Sequence, residues 1–306
     1  MVILKWVHMK KIQIIGTIAL VVIASSLLMY ATSDNNRKKM SQEGTGMYFP
    51  PMVDFAGEKA PLHISDVHER FDRELLVNAN LHSSTIIIIK RANRAFPIIE
   101  PILAQYGIPD DFKYLAVIES SLAPTAVSSA GAKGIWQFMP ETAKEKGMEV
   151  NDIVDERYHL EKATIAACRY LLTAKEKFGT WTLAAASYNG GMNGVNKKIE
   201  EQKVTDYYDL LLTDETSRYV FRILALKEIM RNPVKYGFEI NAADLYVNLP
   251  TKKIEVDSTI TDLAIFAKNQ GINYKILKLH NPWLRDKKLI NPDKKKYVIE
   301  IPTAGY

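Results

Sequence analysis

The pattern of apolar and polar positions divides the chain into stretches of different character. From Ile12 to Ala31 the residues are uncharged and almost wholly apolar. A helix needs about 20 such residues to cross a bilayer, and a helix packed on a globular core would keep a polar face. Residues 33–63 are polar, carry Gly and Pro and show no periodicity, which predicts a linker. From residue 64 to about 232 apolar side chains recur at helical spacing, with almost no strand-like alternation. Phe96, Ile99, Leu103 and Tyr106 form one such stripe; Gly107 ends it, and Pro109-Asp110-Asp111 opens the next helix with acidic residues in its first turn. After about residue 238 the pattern changes again. Short β-prone stretches at 254–256 and 297–301 flank helical patterns over 261–269 and 274–280, stopped by Gly271 and Pro282.

Composition narrows the chemistry. The chain has 306 residues, a formal net charge of +5 and one cysteine. A single cysteine excludes an intramolecular disulfide framework and any Cys-built zinc or iron–sulfur site. Cys168, placed with Ile165 and Leu172 on a helix that stops at Gly179, reads as a small buried hydrophobe. The six histidines are scattered, and His63 and His68 lack the spacing of a helical metal pair, so no metal or other cofactor is expected. The charge is unevenly spread: residues 1–39 hold six basic groups and one acid, residues 40–250 hold 23 and 28, and residues 251–306 hold 11 and six. The acidic middle makes bulk attraction to an anionic polymer an unsuitable driving force there. The basic end comes without a nucleic-acid recognition pattern, so no nucleic-acid partner is expected.

The apolar segment has two readings. Met9-Lys10-Lys11 followed by the apolar run, with Ala31-Thr32-Ser33 behind it, suits a cleaved export signal over residues 1–32; its length suits a retained transmembrane anchor. The only cysteine lies far downstream, so no acyl-carrying cysteine follows the run. Lys5, Lys10 and Lys11 on one side balance Arg37, Lys38 and Lys39 on the other, which leaves orientation undecided.

Candidate chemistry centres on Glu119. It lies one turn after Leu115, where the apolar stripe would place a hydrophobic side chain. A solvent-seeking charge at a helix end would look the same from spacing alone. The stretch Glu119-Ser120-Ser121-Leu122-Ala123-Pro124-Thr125-Ala126-Val127-Ser128-Ser129-Ala130-Gly131-Ala132-Lys133-Gly134-Ile135-Trp136-Gln137-Phe138-Met139-Pro140 is rich in small residues and ends in an aromatic, an amide and a thioether. That composition suits the wall of a groove against a sugar ring, with a flat apolar surface and a few directed hydrogen-bonding groups.

On the Glu119-Ser120 pair, the Ala126–Gly134 stretch, Gly134-Ile135-Trp136-Gln137-Phe138-Met139-Pro140, Ser187-Tyr188-Asn189-Gly190-Gly191 and Glu215-Thr216-Ser217-Arg218-Tyr219-Val220, the sequence resembles the soluble-lytic-transglycosylase type of lysozyme-like domain. Within it, the resemblance is to the membrane-bound lytic murein transglycosylase D group. It implies a helical lysozyme-like domain over 64–238 that holds peptidoglycan glycan strands in a groove. In such enzymes the glutamate at the position of Glu119 is the sole catalytic acid and base. It protonates the oxygen linking N-acetylmuramic acid to N-acetylglucosamine, then takes the proton of the muramyl 6-hydroxyl as a 1,6-anhydro ring closes. No second acid stands between Glu119 and Pro140. Glycosidases with two carboxyl groups use the second as nucleophile or base; assistance from the 2-acetamido group makes one sufficient. Glu119 must then be protonated near neutral pH, which requires water-poor surroundings that Ile118, Leu122, Trp136 and Phe138 are placed to supply.

The resemblance further implies that Ser128 polarises the acetamido group or the reacting centre, that Gln137 and Met139 line the sugar site, and that the Tyr188 hydroxyl orients Glu119. Asn189 would support the local turn, and Glu215 and Tyr219 would form a distal pair closing the groove. A core aromatic with a satisfied hydroxyl is the alternative for Tyr188; packing or turn formation is the alternative for Trp136, Met139 and Asn189.

The β-α-α-β order of residues 250–302, with Asn281-Pro282-Trp283-Leu284, resembles a lysin-motif (LysM) domain, a type that binds N-acetylglucosamine-containing glycans. Asp257-Ser258-Thr259 stands where that family usually has Gly-Asp-Thr, and a module that only packs on the catalytic domain is the other reading. The fold expected is therefore mainly α: an N-terminal hydrophobic helix, a lysozyme-like domain and a small LysM-like module. The function implied is that of a non-hydrolytic peptidoglycan lytic transglycosylase in the bacterial cell envelope, with its body on the periplasmic side. It would touch the membrane through its N-terminal segment if that segment is uncleaved. A hydrolytic goose-type lysozyme and a catalytically inactive glycan-binding envelope protein are the alternatives.

Overall fold

A computed structural model describes residues 46–306. The apolar segment at 12–31 lies outside the described residues, and among these no helix is long and apolar enough to cross a membrane.

Residues 50–63 are not a linker. A two-residue hairpin of β1 (Asp54–Phe55) and β2 (Glu58–Lys59) packs into the helical domain, with Phe55 fully buried edge-on against Phe112 at 4.9 Å between ring centres. Two-residue strands are too short to show a period, so the pattern reading passes over them. The hairpin is also tied by polar contacts. The Ala56 N–H donates to Asp111 at 2.8 Å, and the buried Lys227 ammonium donates to the Asp54 carbonyl at 2.7 Å and to Asp111 at 2.6 Å.

Helices follow. α1 (Ser65–Asn80) and α2 (His82–Gln105) lead through a short 3-10 turn (Asp110–Phe112) into α3 (Lys113–Ser120). The α2 helix begins well before the stripe read from sequence and buries Thr85, Ile88, Ala92, Ala95, Ile99 and Leu103. Pro97 and Pro101 lie inside it, both on the solvent side, where the missing N–H donors leave no buried acceptor unmet. Gly107 ends the segment at φ +67°, as its position predicts.

After an irregular loop and α4 (Pro140–Glu145) come α5 (Leu160–Phe178), α6 (Trp181–Gly190), α7 (Met192–Gln202) and α8 (Asp214–Arg231). The α8 helix is the central element: it packs against α1, α3 and α6 and buries Tyr219, Val220, Phe221, Ile223 and Leu224. The buried Glu74 of α1 receives the Arg218 Nε of α8 at 2.7 Å. Glu58 of the hairpin accepts the N–H groups of Trp181 and Thr182 at 2.7 and 2.8 Å, capping the free donors that open α6. The buried face of α5 runs through Ala163, Thr164, Ala167, Cys168, Leu171 and Ala174. Cys168 is buried as expected, but Leu172 is exposed and does not share its stripe.

Residues 251–302 form the β-α-α-β unit read from the sequence. β3 (Thr251–Val256) pairs antiparallel with β4 (Tyr297–Pro302), from Thr251 opposite Pro302 to Val256 opposite Tyr297, and α9 (Leu263–Asn269) and α10 (Tyr274–His280) cover one face. Asp262 caps α9 through the N–H groups of Ala264 and Ile265, and Asn273 caps α10 through that of Ile276. The unit does not stand apart. Val154 and Tyr158 of the helical domain join its core beside Trp283, Leu284 and Tyr297. Backbone bonds from Asp155 N to the Trp283 carbonyl (2.9 Å) and from Arg285 N to the Ile153 carbonyl (2.8 Å) fix the junction.

Candidate active site

Glu119 closes a helix that is buried nearly all round. Tyr114, Leu115, Ala116, Val117 and Ile118 precede it without a polar break, so the α3 axis runs through the core and its last turn delivers a carboxylate to the edge. The helix stops because Ser121 and Leu122 both adopt left-handed backbone, at φ 52° and 55°. Neither is glycine. Two successive non-glycine residues in that region are costly, and such strain persists where surrounding contacts hold it. Here the Ser120 hydroxyl donates to the Ile135 carbonyl at 2.8 Å, and Arg91 donates to the Ser121 carbonyl at 3.0 Å.

The loop of residues 121–139 folds back on the end of α3. Val127 pairs with Lys133 and Lys133 with Phe138 in isolated antiparallel bridges. Gly134, at φ +79°, lies so close to the Arg157 carbonyl that a Cβ there would fall 1.9 Å from its oxygen. Only glycine admits that approach. From the other side the buried Arg157 guanidinium donates to the carbonyls of Gly131 (3.3 Å) and Phe138 (3.2 Å) while pairing with Asp155 at 2.7 Å.

Glu119 is half-buried in largely apolar surroundings. Ile118, Leu122 and Phe138 are buried beside it in the chain or the loop. Burial pushes the Glu119 carboxyl up to about 7, opposed by the Tyr219 hydrogen bond and the Arg222 charge and assisted by the Glu215 charge. For Trp136 the structure takes the packing alternative. Its ring is completely buried and its indole N–H donates to Thr164 at 2.8 Å, so it is a core anchor for the loop and presents no face to a sugar.

The hydroxyl of Tyr188 is not the one that meets Glu119. The Tyr188 hydroxyl donates to the Trp136 carbonyl at 2.8 Å, and its ring sits edge-on to Phe138 and Tyr170. It therefore shapes the loop, and the hydroxyl that bonds Glu119 Oε1 is that of the buried Tyr219. The resemblance implies a distal place for Tyr219, and the structure sets it against Glu119. The correction follows from geometry: Glu215, Tyr219 and Arg222 lie along one stripe of α8, at i, i+4 and i+7, and that stripe faces the end of α3. Arg222 donates to the Ile118 carbonyl at 3.2 Å. Spacing along the chain does not say which helix end such a stripe faces.

The remaining candidates are distributed around this pair. Asn189, in the last turn of α6, donates to Glu215 at 3.0 Å and accepts from Thr216 at 2.8 Å, so it links α6 to the start of α8. The Ser128 hydroxyl accepts the Ala132 N–H at 3.0 Å within its own turn. Gln137, at φ +49°, donates to the carbonyls of Ala126 (3.3 Å) and Gly134 (2.7 Å), and Met139 is exposed at the start of α4. Ser128, Gln137 and Met139 thus share one loop with Glu119 at its root. Among the described residues no group of three or more His, Cys, Asp and Glu side chains is arranged to hold a metal ion. Cys168 lies in the core with its thiol pushed up to about 12 by burial, which leaves it little thiolate for chemistry.

Two segments of the chain are similar to known proteins. Residues 97–211 match the transglycosylase SLT domain family, and residues 252–305 match the soluble lytic transglycosylase C-terminal LysM-like domain. The membrane-bound lytic murein transglycosylase D of Escherichia coli is 29% identical over 238 residues, covering 74% of this chain and 50% of that protein. The peptidoglycan transglycosylase of Escherichia phage T7 is 31% identical over 128 residues, or 41% of this chain and 9% of that protein. The chain spans about half the length of the curated transglycosylase D relatives it matches. Tyr219 lies beyond the matched SLT segment, in the helix that completes the site. With Glu119 at the root of the loop and the β-α-α-β unit joined to the helical domain, the chain carries a transglycosylase SLT domain followed by a LysM-like C-terminal domain.

Proposed function

We propose that the protein is a lytic transglycosylase that cleaves the β-1,4 bond between N-acetylmuramic acid and N-acetylglucosamine in peptidoglycan without consuming water. The observation that carries this reading is the state of Glu119: a carboxyl raised to about 7 and held by the Tyr219 hydroxyl at the root of a loop matched to the SLT family. A carboxyl at that value is substantially protonated near neutral pH and can also act as a base once it has given up its proton. It donates the proton to the glycosidic oxygen as the bond to the muramyl C1 breaks, with the 2-acetamido oxygen sharing the positive charge. The resulting carboxylate then takes the proton of the muramyl 6-hydroxyl as that oxygen bonds to C1. The products are a free N-acetylglucosamine 4-hydroxyl and a 1,6-anhydro-muramyl end.

Ser128, Gln137 and Met139 are assigned to the groove that holds the strand, and Asn189 and Glu215 to its edge. Tyr219 orients the acid, and Tyr188 supports the loop from behind. The cell envelope is the site of action in this reading, where the substrate lies, with the body of the protein on the periplasmic side. Digestion of purified peptidoglycan followed by mass analysis of the released muropeptides tests the proposal. Anhydro-muramyl ends are the expected product; reducing ends would identify a hydrolase, and no release would leave a glycan-binding protein.

A further inference from the structure

A hollow of about 380 Å³ lies where the loop following Glu119 meets the C-terminal module. Thr125 forms its wall on the loop side, and α10 with the turn after it forms the rest. Its chemistry is lopsided. Lys275, Lys278 and Arg285 line it together with the apolar surfaces of Tyr274, Leu279 and Pro282, and among the described residues that line it none is acidic. The exposed lining is mostly apolar, with three cationic side chains and no acidic one contributing to it, a setting that suits a carboxylate carried on an aliphatic chain.

Two of the cations are already fixed in place. The Lys278 ammonium donates to the carbonyls of Leu284 and, at 2.9 Å, Asp286. Arg285 donates to the Pro282 carbonyl at 2.9 Å, and its guanidinium lies 4.4 Å from the centre of the Tyr158 ring. These contacts hold both positive groups without a carboxylate of the hollow to balance them. Burial, with the nearby Arg285 charge, brings Lys278 down to about 8 against the opposing pull of Asp286. An anion bound near the two cations would act in the same direction as Asp286 and favour the charged form of Lys278.

The hollow also communicates with the active-site loop. The residue after Thr125 is Ala126, whose carbonyl accepts both the Gln137 side-chain amide and the Gly134 N–H. An occupant resting on Thr125 therefore lies against the loop that Glu119 roots. We infer that this hollow is a subsite for a carboxylate on the peptide stem of a peptidoglycan strand, formed jointly by the catalytic loop and the C-terminal module. The inference rests on the function proposed above and adds to it a peptide-reading contact that a bare glycan groove lacks.

Binding by the full-length Glu119→Gln chain, which blocks cleavage, tests it. The probes are strands carrying peptide stems, strands stripped of them, and strands whose stem carboxylates have been amidated. Stem-bearing strands are expected to bind about tenfold tighter than either of the others, the effect of one or two charge-assisted contacts. Lys275 is solvent-exposed. Introducing Lys275→Glu into the same chain is therefore compatible with folding and is expected to bring the ratio between stem-bearing and stripped strands close to unity. Equal binding of stem-bearing and stripped strands overturns the inference. So does an unchanged ratio in the Lys275→Glu chain, or amidated strands that bind like the native ones. Failure of the enzymatic reading registers separately, as peptidoglycan left intact by the native chain.

Discussion

Tyr219 donates its hydroxyl hydrogen bond to Glu119 across 100 residues of sequence, from a fully buried ring in the central helix to the last turn of α3. The contact does two opposed things. It favours the ionised carboxylate, which lowers the pKa, while the burial it belongs to raises it, and burial prevails.

Removing that hydroxyl separates the two effects. In Tyr219→Phe the carboxyl loses the donor that stabilises its charged form, so its pKa rises further. The loss of activity on the alkaline side, where Glu119 can no longer act as an acid, should move to higher pH. Maximal turnover should fall about tenfold to a hundredfold, because the acid is no longer held at one angle. A pH–rate profile of both chains measures the shift, and an unmoved limb would remove Tyr219 from this role.

Glu119→Gln should abolish turnover and also change stability in a pH-dependent way. The carboxyl is raised from 4.5 to about 7 in the folded chain, so folding opposes its ionisation. The native chain thus has the full benefit of a neutral carboxyl below the unfolded value, and loses stability as pH climbs through the folded one. The amide carries no such penalty. Relative to native, the variant should gain stability between about pH 5 and about pH 8, by at most about 3 kcal/mol given the partly solvated edge of the residue. Denaturant unfolding at the two pH values provides the check.

Gly134→Ala places a Cβ 1.9 Å from the Arg157 carbonyl oxygen on backbone with φ +79°. The obstacle is main chain, which cannot swing aside as a long side chain can. A loss of more than about 2 kcal/mol is expected, with a displaced loop and reduced wall lysis. Thermal unfolding together with a lysis assay reads both.

Arg157→Leu removes the guanidinium that joins Asp155 to the loop carbonyls of Gly131 and Phe138. Asp155 is buried, and its other cation, Lys133, stands farther away at 3.5 Å. A buried carboxylate deprived of its partner costs about 3 kcal/mol or more. Converting Asp155 to Asn in the same chain should recover part of that loss, since the stranded charge disappears. Unfolding free energies of the single and double variants test the coupling.

Some of the site was legible in one dimension. Glu119 interrupts an apolar stripe at a helix end, Gly134 stands within a small-residue loop, and Gly271 and Pro282 mark the ends of α9 and α10. Other parts were not. The strands of the hairpin at 54–59 are too short for any period, and only their packing beneath α8 separates them from a linker. Trp136 reads equally well as a sugar platform or a core residue, and the Thr164 hydroxyl waiting inside the domain decides for the core. Leu172 has the spacing of a stripe shared with Cys168, yet the buried face of α5 lies one position away.

By itself the sequence determined what depends on near neighbours along the chain: where helices begin and stop, which side chain breaks an apolar face, and the order of the two domains. These follow from capping, glycine conformation and periodicity, which act within a few residues. The tertiary structure alone decided which tyrosine meets Glu119, which aromatic is buried, and how Asp155 and Arg157 join the loop to the C-terminal module. Such pairings are set by the close packing of helices far apart in sequence, where several faces satisfy the same local pattern and only one arrangement fills the core.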